Sequence, residues 1–454
     1  MDAAMGRRRV ACATLGCKVN QYDSEQMLTL FRRAGYEVVD FDQPADVYII
    51  NTCTVTGRGA AKSRQLIRSA IRRAPFSVVA VTGCYTQTNP DEVAAIPGVN
   101  LIVGHRDRGR IVELCEEAMR RPEPIRAVND VWLAREFDDI PLDSFSQGTR
   151  AVVKIQDGCN VFCTFCIIPY ARGRPRSRDP ESVYEEVERL AEKGYREVVL
   201  TGIHLGSYGQ DAKGRFTLEE VVERVAAIPG IDRVRLSSLE PRHVSDRLLE
   251  LMASNPKVCQ HLHLSLQSGS ETVLRRMKRR YTAAEYRARV ERIRSLIPDV
   301  GLTTDVIVGF PGETEAEHRE SLAFVREMGF SRIHVFPFSP RPGTPAAAMP
   351  DPVPRAVKEA RTREMIALGE ELQQAFHRRF LGQTLEVLAE EEAATDDGWL
   401  EGYTDNYIRV RLPGGDELKG TLIPVRLTGL TQDGMVGEMA GLPVGSRRLA
   451  GAVR

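Results

Sequence analysis

The chain has 454 residues, with 62 lysines and arginines against 62 aspartates and glutamates, so its formal net charge is zero. That length exceeds what one core supports, and that balance excludes a globally basic nucleic-acid binder, so several domains and only local nucleic-acid footprints are expected. The nine cysteines, the absence of an apolar leader after Met1-Asp2-Ala3-Ala4 and the lack of any apolar run near a membrane span of about 20 residues predict a cytoplasmic, reducing setting without membrane contact, where clustered cysteines serve as ligands.

Residues 1–120 alternate strand and helix signals. Strands are predicted at Val10–Leu15, Asp46–Asn51, Ser77–Thr82 and Leu101–Val103, and helices at Gln21–Ala34, Gly59–Arg73 and Gly109–Arg120. Short apolar runs between helices imply an open, mostly parallel α/β sheet covered on both faces, of flavodoxin-like or Rossmann-like kind. Residues 121–149, with Pro122, Pro124 and Pro141, read as a linker.

From residue 150 the alternation restarts. Strands are predicted at Ala151–Ile155, Glu197–Thr201, Arg233–Leu236, His261–Leu266, Leu302–Val308 and Arg332–Val335, with helices at 180–193, 217–227, 244–253, 282–296 and 315–328. Six such units predict a partial (β/α)6 barrel, open on one side, with its chemistry at the C-terminal strand ends. A proline-rich crossing at 337–354 leads into a charged helix, Ala356–Phe380, which carries this domain to about residue 375. Residues 376–454 change period. Thr384–Glu390, Tyr403–Arg411, Thr421–Thr428 and Met435–Glu438 predict a small antiparallel β-barrel of OB-like type.

Cys159, Cys163 and Cys166 stand just past the first barrel strand in a C-x3-C-x2-C array. Three thiolates on one [4Fe–4S] cube leave one iron without a protein ligand. Zinc is the main rival, but its sites come as paired Cys-x2-Cys elements or with histidines close behind, and the first histidine here is His204. Three unrelated buried cysteines is the remaining alternative. Cys17, Cys53 and Cys84 each follow a predicted strand of the first domain. Parallel topology brings them to one sheet edge, where open α/β folds bind ligands, so a three-thiolate site is expected. Ordinary core cysteine is the alternative, and it suits Cys12, Cys115 and Cys259 better.

The triplet resembles the CxxxCxxC signature of the radical S-adenosylmethionine superfamily, and Phe165 resembles its aromatic between ligands. That resemblance implies S-adenosylmethionine on the open iron. It further implies backbone contacts from Thr201 and Gly202 to the methionine moiety, contacts from Ser265 and Gln267 to ribose or carboxylate, and Val308-Gly309 beside adenine. Each segment alone also reads as an ordinary loop. His204 is either a substrate contact or a capped loop histidine.

Thr14–Asn20, Asn51–Val55 and Gly83-Cys84 together resemble the radical methylthiotransferases. In that family the amino-terminal cysteines hold an auxiliary [4Fe–4S] cluster, again with one open iron, and the terminal barrel resembles a TRAM domain. The Gly16-Cys17-Lys18-Val19-Asn20 context looks like the branch acting on N6-threonylcarbamoyladenosine at position 37 of tRNA (t6A37). It differs from the Gly-Cys-Gln-Met-Asn of the isopentenyladenosine branch and the Gly-Cys-Pro-Lys-Asn of the ribosomal-protein branch. The resemblance implies methylthiolation at adenine C2, giving ms2t6A37 from two S-adenosylmethionine molecules and a sulfur source. It also implies the tRNA anticodon arm as partner, a low-potential electron donor of flavodoxin or ferredoxin type, a sulfur donor the sequence does not identify, and a monomer.

Local charge is consistent with RNA. Arg172, Arg174, Arg176 and Arg178 alternate after the triplet; Arg275, Arg276, Lys278, Arg279 and Arg280 form a second run; Arg64, Arg68, Arg72 and Arg73 load one helix. Each run reads either as phosphate contacts or as a solvated face with acidic partners. Tyr403, Tyr407, Arg409 and Arg411 share one strand parity and read as an RNA-stacking face or as an ordinary exposed sheet face. Asp23 and Glu25 read either as substrate contacts or as caps of the first helix, the cap being the safer reading. Two other function classes stay open: methylthiolation of a protein side chain, and an RNA-binding module with structural zinc.

Overall fold

The computed structural model describes residues 7–142, 145, 148–392 and 398–441. The first six residues, residues 143–144 and 146–147 of the predicted linker, and residues 393–397 and 442–454 of the predicted terminal barrel lie outside that set. The chain divides into two compact units. One comprises residues 1–144, 156–178 and 339–347, the other residues 145–155, 179–338 and 348–454.

The first unit is built on six parallel strands: β1 (Arg9–Thr14), β2 (Glu37–Val39), β3 (Val47–Thr52), β4 (Val78–Gly83), β5 (Leu101–Val103) and β6 (Ile125–Ala127). Their order is β2-β1-β3-β4-β5-β6. Five helices wind around the sheet: α1 (Lys18–Arg33), α2 (Gly57–Arg73), α3 (Cys84–Thr88), α4 (Pro90–Ala94) and α5 (Ile111–Ala118). Met27 and Phe31 of α1 and Leu114 of α5 pack on one face; Ile67 and Ala70 of α2 and Tyr85 of α3 pack on the other. Every residue of β3 and β4 is therefore buried, which is why these strands read as continuous apolar runs. The edge strands β2 and β6 span three residues each, too few to leave a periodic signal, and β6 falls within the predicted linker.

Segment 156–178 of the same unit holds the end of β7 (Arg150–Asp157), the cysteine triplet, α6 (Ile168–Arg172) and β8 (Arg176–Ser177), which pairs antiparallel with Gln156 and Asp157.

The second unit contains the partial barrel. After β7 come α7 (Pro180–Glu192), β9 (Glu197–Gly202), α8 (Leu218–Ala227), β10 (Arg233–Leu236), α9 (Asp246–Ser254), β11 (His261–His263), α10 (Glu271–Arg276), α11 (Ala283–Leu296), β12 (Gly301–Val308), α12 (Glu315–Met328) and β13 (Arg332–Pro337). β9 pairs with β10 and β11-β12-β13 pair in turn, all parallel, while isolated parallel bridges at Val234–Val258 and Leu239–Leu264 join the two sets. Among the described residues β13 does not pair with β7, so the barrel is open there. Thr217, Thr282 and Thr314 start α8, α11 and α12 with reciprocal capping boxes to Glu220, Glu285 and Glu317, a Thr-x-x-Glu pattern that satisfies two orphan amide donors at once.

After α13 (Arg355–Arg378), five strands close a small barrel: β14 (Thr384–Glu392), β15 (Trp399–Thr404), β16 (Arg409–Pro413), β17 (Leu422–Leu430) and β18 (Met435–Met439), in the order β14-β15-β16-β18-β17. Val387, Leu400, Val410, Ile423 and Leu427 fill it. This module packs on the N-terminal ends of the partial-barrel strands. Arg233 donates to Tyr403 O at 2.9 Å and Glu386 O at 2.7 Å, Arg235 to Asp405 O at 2.8 Å, and Asn406 to Asp299 O at 3.2 Å. Gly301 leaves no room for a side chain there, since a Cβ would lie 2.0 Å from Asn406 O.

The expected single strand Tyr403–Arg411 is instead the hairpin of β15 and β16. The Thr404 hydroxyl donates to Asn406 Oδ1 at 2.6 Å and accepts from Ile408 N–H at 2.9 Å, and Tyr407 adopts φ +70°, so a turn closed by the Thr404 side chain interrupts the run. Tyr407 stacks on Tyr403 at 4.7 Å and on His261 at 4.5 Å, with Arg235 over its ring. Arg409 and Arg411 are paired with Glu401. These aromatics join the two parts of the unit and do not form an open RNA-stacking face. Among the described residues no helix is long and apolar enough to cross a membrane.

Candidate functional site

Strand register builds the amino-terminal cysteine set. Thr14 pairs with Asn51 and Asn51 with Thr82, so Cys17, Cys53 and Cys84 leave the sheet at the same edge. The strand order reverses between β1 and β3, the switch point at which such sheets bind ligands, and Cys17 and Cys53 follow those two strands. The Cys17 backbone starts α1, accepting from Gln21 N–H at 3.1 Å, and Cys84 is the first residue of α3. Asn20 ties the loops together by donating to Leu15 O at 2.7 Å and Thr52 O at 3.1 Å, and Asn51 returns a bond to Asn20 O at 2.9 Å. Gly16 and Gly83, both at positive φ, let the backbones approach. A Cβ at Gly16 would lie 3.2 Å from Cys53 Sγ, and one at Gly83 2.4 Å from Thr52 O.

Burial pushes the Cys84 thiol up to about 11, against the pull of Arg172, and it also raises Cys53. Thiols in this setting ionise only with a cation at hand, and a bound metal is the strongest such partner. Three soft donors at one edge, with glycines where side chains would crowd them, fit a cluster iron. Cys115 and Cys259 are buried and burial raises both, Cys259 to about 12, as expected of inert core thiols.

The triplet loop is set by a different device. Cys159 N–H donates to Gly173 O at 2.9 Å and Cys166 N–H to Cys163 O at 3.0 Å, while Val161 N–H points at Cys159 Sγ at 3.5 Å. Gly158, at φ +79°, lies so close to the returning chain that a Cβ would sit 1.9 Å from Arg174 O. Phe162, at φ +53°, stacks on Trp132 at 5.4 Å, and Phe165 is half-buried.

Sequence reasoning missed the polar core of this unit. Arg172 is wholly buried and meets Asp23 at 2.7 Å, Asp157 at 3.3 Å and Cys84 Sγ at 3.3 Å. Burial opposes its charge, but Cys84, Asp23 and Asp157 hold it protonated. Arg176 is buried near Asp157, and Arg178 is buried against Asp139 and Tyr22. Of the expected alternating phosphate contacts only Arg174 is exposed. Asp23 is buried in the second turn of α1 and pairs with Arg108 as well as Arg172, so it is no helix cap; Glu25 meets Arg32 at 3.8 Å. In the second run, Arg276 pairs with Glu317 and Arg279 with Glu240. The helix α2 differs: Arg68 and Arg72 are exposed, and the helix carries no acidic residue.

The residues expected at S-adenosylmethionine lie in the second unit, at the C-terminal ends of their strands. Thr201 and Gly202 end β9. Ser265 O accepts from the Tyr281 hydroxyl at 2.7 Å. Gln267, at φ +70°, bridges to β12 through Asp305 O and Ile307 N–H, both at 2.8 Å. Val308 is a core residue whose carbonyl accepts from Phe338 N–H at 2.8 Å, and Gly309 N–H donates to Glu313 at 2.6 Å. On the same strand-end side, His204, Glu240 and His243 converge, their ligand-type atoms all within 4.8 Å. Arg279 lies 2.8 Å from Glu240 and already matches its charge. Burial works against ionised Glu240, but the His204 hydrogen bond and Arg279 hold it down at about 2; burial, then His204, lowers His243 to about 4.

Residues 153–325 match the radical SAM superfamily model, and residues 9–104 match that of an uncharacterised protein family, UPF0004. The chain is 45% identical to the threonylcarbamoyladenosine tRNA methylthiotransferase MtaB of Bacillus subtilis (strain 168), over 92% of this chain and 93% of that protein. It is 40% identical to the MtaB of Aquifex aeolicus (strain VF5), over 92% of this chain and 99% of that protein. Among solved structures, the radical S-adenosylmethionine methyltransferase TsrM from Kitasatospora setae, with cobalamin and a [4Fe–4S] cluster bound, superposes with a TM-score of 0.58 at 18% identity, covering 75% of this chain and 77% of that one. That last likeness is one of fold.

Proposed function

Because the chain belongs to the radical S-adenosylmethionine methylthiotransferase family, in its MtaB-type branch, we propose that it converts t6A37 of tRNA to ms2t6A37 with two S-adenosylmethionine molecules and a sulfur source. In this reading Cys159, Cys163 and Cys166 hold one [4Fe–4S] cluster and Cys17, Cys53 and Cys84 a second, each with one iron left open. When bound, these groups supply the one-electron cleavage of S-adenosylmethionine and the sulfur that is transferred. The observation that carries the reading is the register of Thr14, Asn51 and Thr82, which sets the second cysteine set at one sheet edge.

The chain's own residues do the positioning. Asn20 and Asn51 fix the loops that carry Cys17 and Cys53. Phe165 lies beside the triplet, and Thr201, Gly202, Ser265, Gln267 and Gly309 line strand ends where the cofactor would be met, with Val308 supporting them from the core. The anticodon arm is the RNA partner, and adenine 37 leaves its stack to be reached, as single-stranded loops allow. A flavodoxin- or ferredoxin-type donor supplies electrons, and the enzyme acts as a monomer in the cytoplasm.

Iron analysis after anaerobic reconstitution tests the two-cluster reading. The full chain is expected to bind about eight irons, the content of two four-iron clusters. The Cys17→Ala, Cys53→Ala, Cys84→Ala triple variant should keep about half and still cleave S-adenosylmethionine. A wild type saturating at half that content, or a triple variant that retains all of it, would refute the reading.

A further inference from the structure

Arg172 stands at the end of α6, on the chain leaving Cys166, yet its side chain serves the other cysteine set. Its Nε lies 3.3 Å from Cys84 Sγ, its Nη1 reaches Asp23 and Asp157, and its Nη2 donates to Asn20 Oδ1, which itself lies 4.0 Å from Cys84 Sγ. Among the described residues three guanidinium groups are buried in this cluster, those of Arg108, Arg172 and Arg176, against two buried carboxylates, Asp23 and Asp157. A third carboxylate, Asp138, meets Arg108 at 3.4 Å but is 37% exposed, so water screens it. The buried cluster therefore carries an excess of positive charge, and Arg172 is the member whose donor faces sulfur.

We infer that Arg172 is a positioning residue that sets the reduction potential of the auxiliary centre at Cys17, Cys53 and Cys84; this rests on the ligand reading proposed above. A [4Fe–4S]2+ core with three thiolates has a formal charge of −1, and each added electron makes it more negative. A buried cation and an N–H hydrogen bond to a ligand sulfur favour the reduced state, because hydrogen bonding, net charge and burial set such potentials. The same contact ties the segment after the triplet to a ligand of the other set, so one side chain constrains the positions of both.

The test uses the full chain carrying Cys159→Ala, Cys163→Ala and Cys166→Ala, so that only the auxiliary centre is loaded, followed by potentiometric titration with EPR detection. Adding Arg172→Gln is expected to lower the one-electron reduction equilibrium about tenfold, a shift of about 59 mV to more negative potential. Asp23→Asn, which removes a neutralising carboxylate, is expected to shift the potential the other way. Arg172→Lys, which keeps the charge but loses the planar fork, should fall between wild type and Arg172→Gln. A parent without iron overturns the ligand reading and this inference with it. A parent with about four irons whose potential none of the substitutions moves overturns the inference alone. Loss of iron in all three variants also overturns it, in favour of a purely structural arginine.

Discussion

Gly83 shows how tightly single residues constrain the cysteine edge. Its φ is +98°, and a Cβ would meet Thr52 O at 2.4 Å and Thr52 N at 2.5 Å. Gly35 has a similar φ of +86° but open space around it. Gly83→Ala should therefore add a backbone clash to the conformational strain of about 1–3 kcal/mol that a non-glycine residue bears at such a position. On the proposed ligand set it is expected to lower Tm and lose iron at Cys84, whereas Gly35→Ala should lower Tm modestly and keep its iron; equal behaviour of the two would contradict this account. A second residue-scale expectation concerns acid. Unfolded His243 titrates near 6.5 and folded His243 near 4, so the unfolded chain binds more protons in that window and acidification destabilises the fold. Glu240, held at about 2 against an ordinary 4.5, adds stability that is lost only as pH falls from about 4.5 towards about 2. Tm should drop between pH 6.5 and 4, and His243→Gln should flatten that part of the profile; an unchanged slope would refute the role of His243. Neither Arg172 nor Asp23 was legible as a buried pair. They are 149 positions apart, and alternating arginines look the same whether they face phosphate or carboxylates brought in by the fold.

At the scale of elements, what was legible had local causes. The Thr-x-x-Glu starts of α8, α11 and α12 announce their own caps, and the apolar runs of β3 and β4 announce a sheet covered on both faces. The hairpin of β15 and β16 was missed because parity continued across Asp405-Asn406, although that pair is itself a turn signal. The position of the terminal barrel, on the N-terminal strand ends through Arg233 and Arg235, was not legible, since buried arginines of a strand carry no mark of what they bond. The basic helix α2 keeps both of its sequence readings, phosphate contact or solvated face. Its exposed Arg68 and Arg72 have no ion pair among the described residues, so they offer unspent charge to RNA phosphate. Arg68→Gln with Arg72→Gln should weaken tRNA binding and reduce the slope of log affinity against log salt by about two, one for each phosphate contact removed. An unchanged slope in a filter-binding titration would remove α2 from the RNA surface.

For the whole molecule, the order of segments carried the function. A cysteine triplet after the first barrel strand implied radical chemistry, and three dispersed cysteines became one set only through the β2-β1-β3-β4 strand order. The context Lys18-Val19-Asn20 pointed to one branch, and 45% and 40% identity across nearly the full length of two MtaB proteins agrees with it. The central claim is the identity of the modified base. Mass spectrometry of tRNA nucleosides, from a strain lacking this gene and again after its return, tests that claim most directly. Loss of 2-methylthio-N6-threonylcarbamoyladenosine with accumulation of the unthiolated nucleoside, reversed by the gene, is the predicted result. An unchanged level of that nucleoside, or loss of the 2-methylthio isopentenyladenosine in its place, would contradict the account.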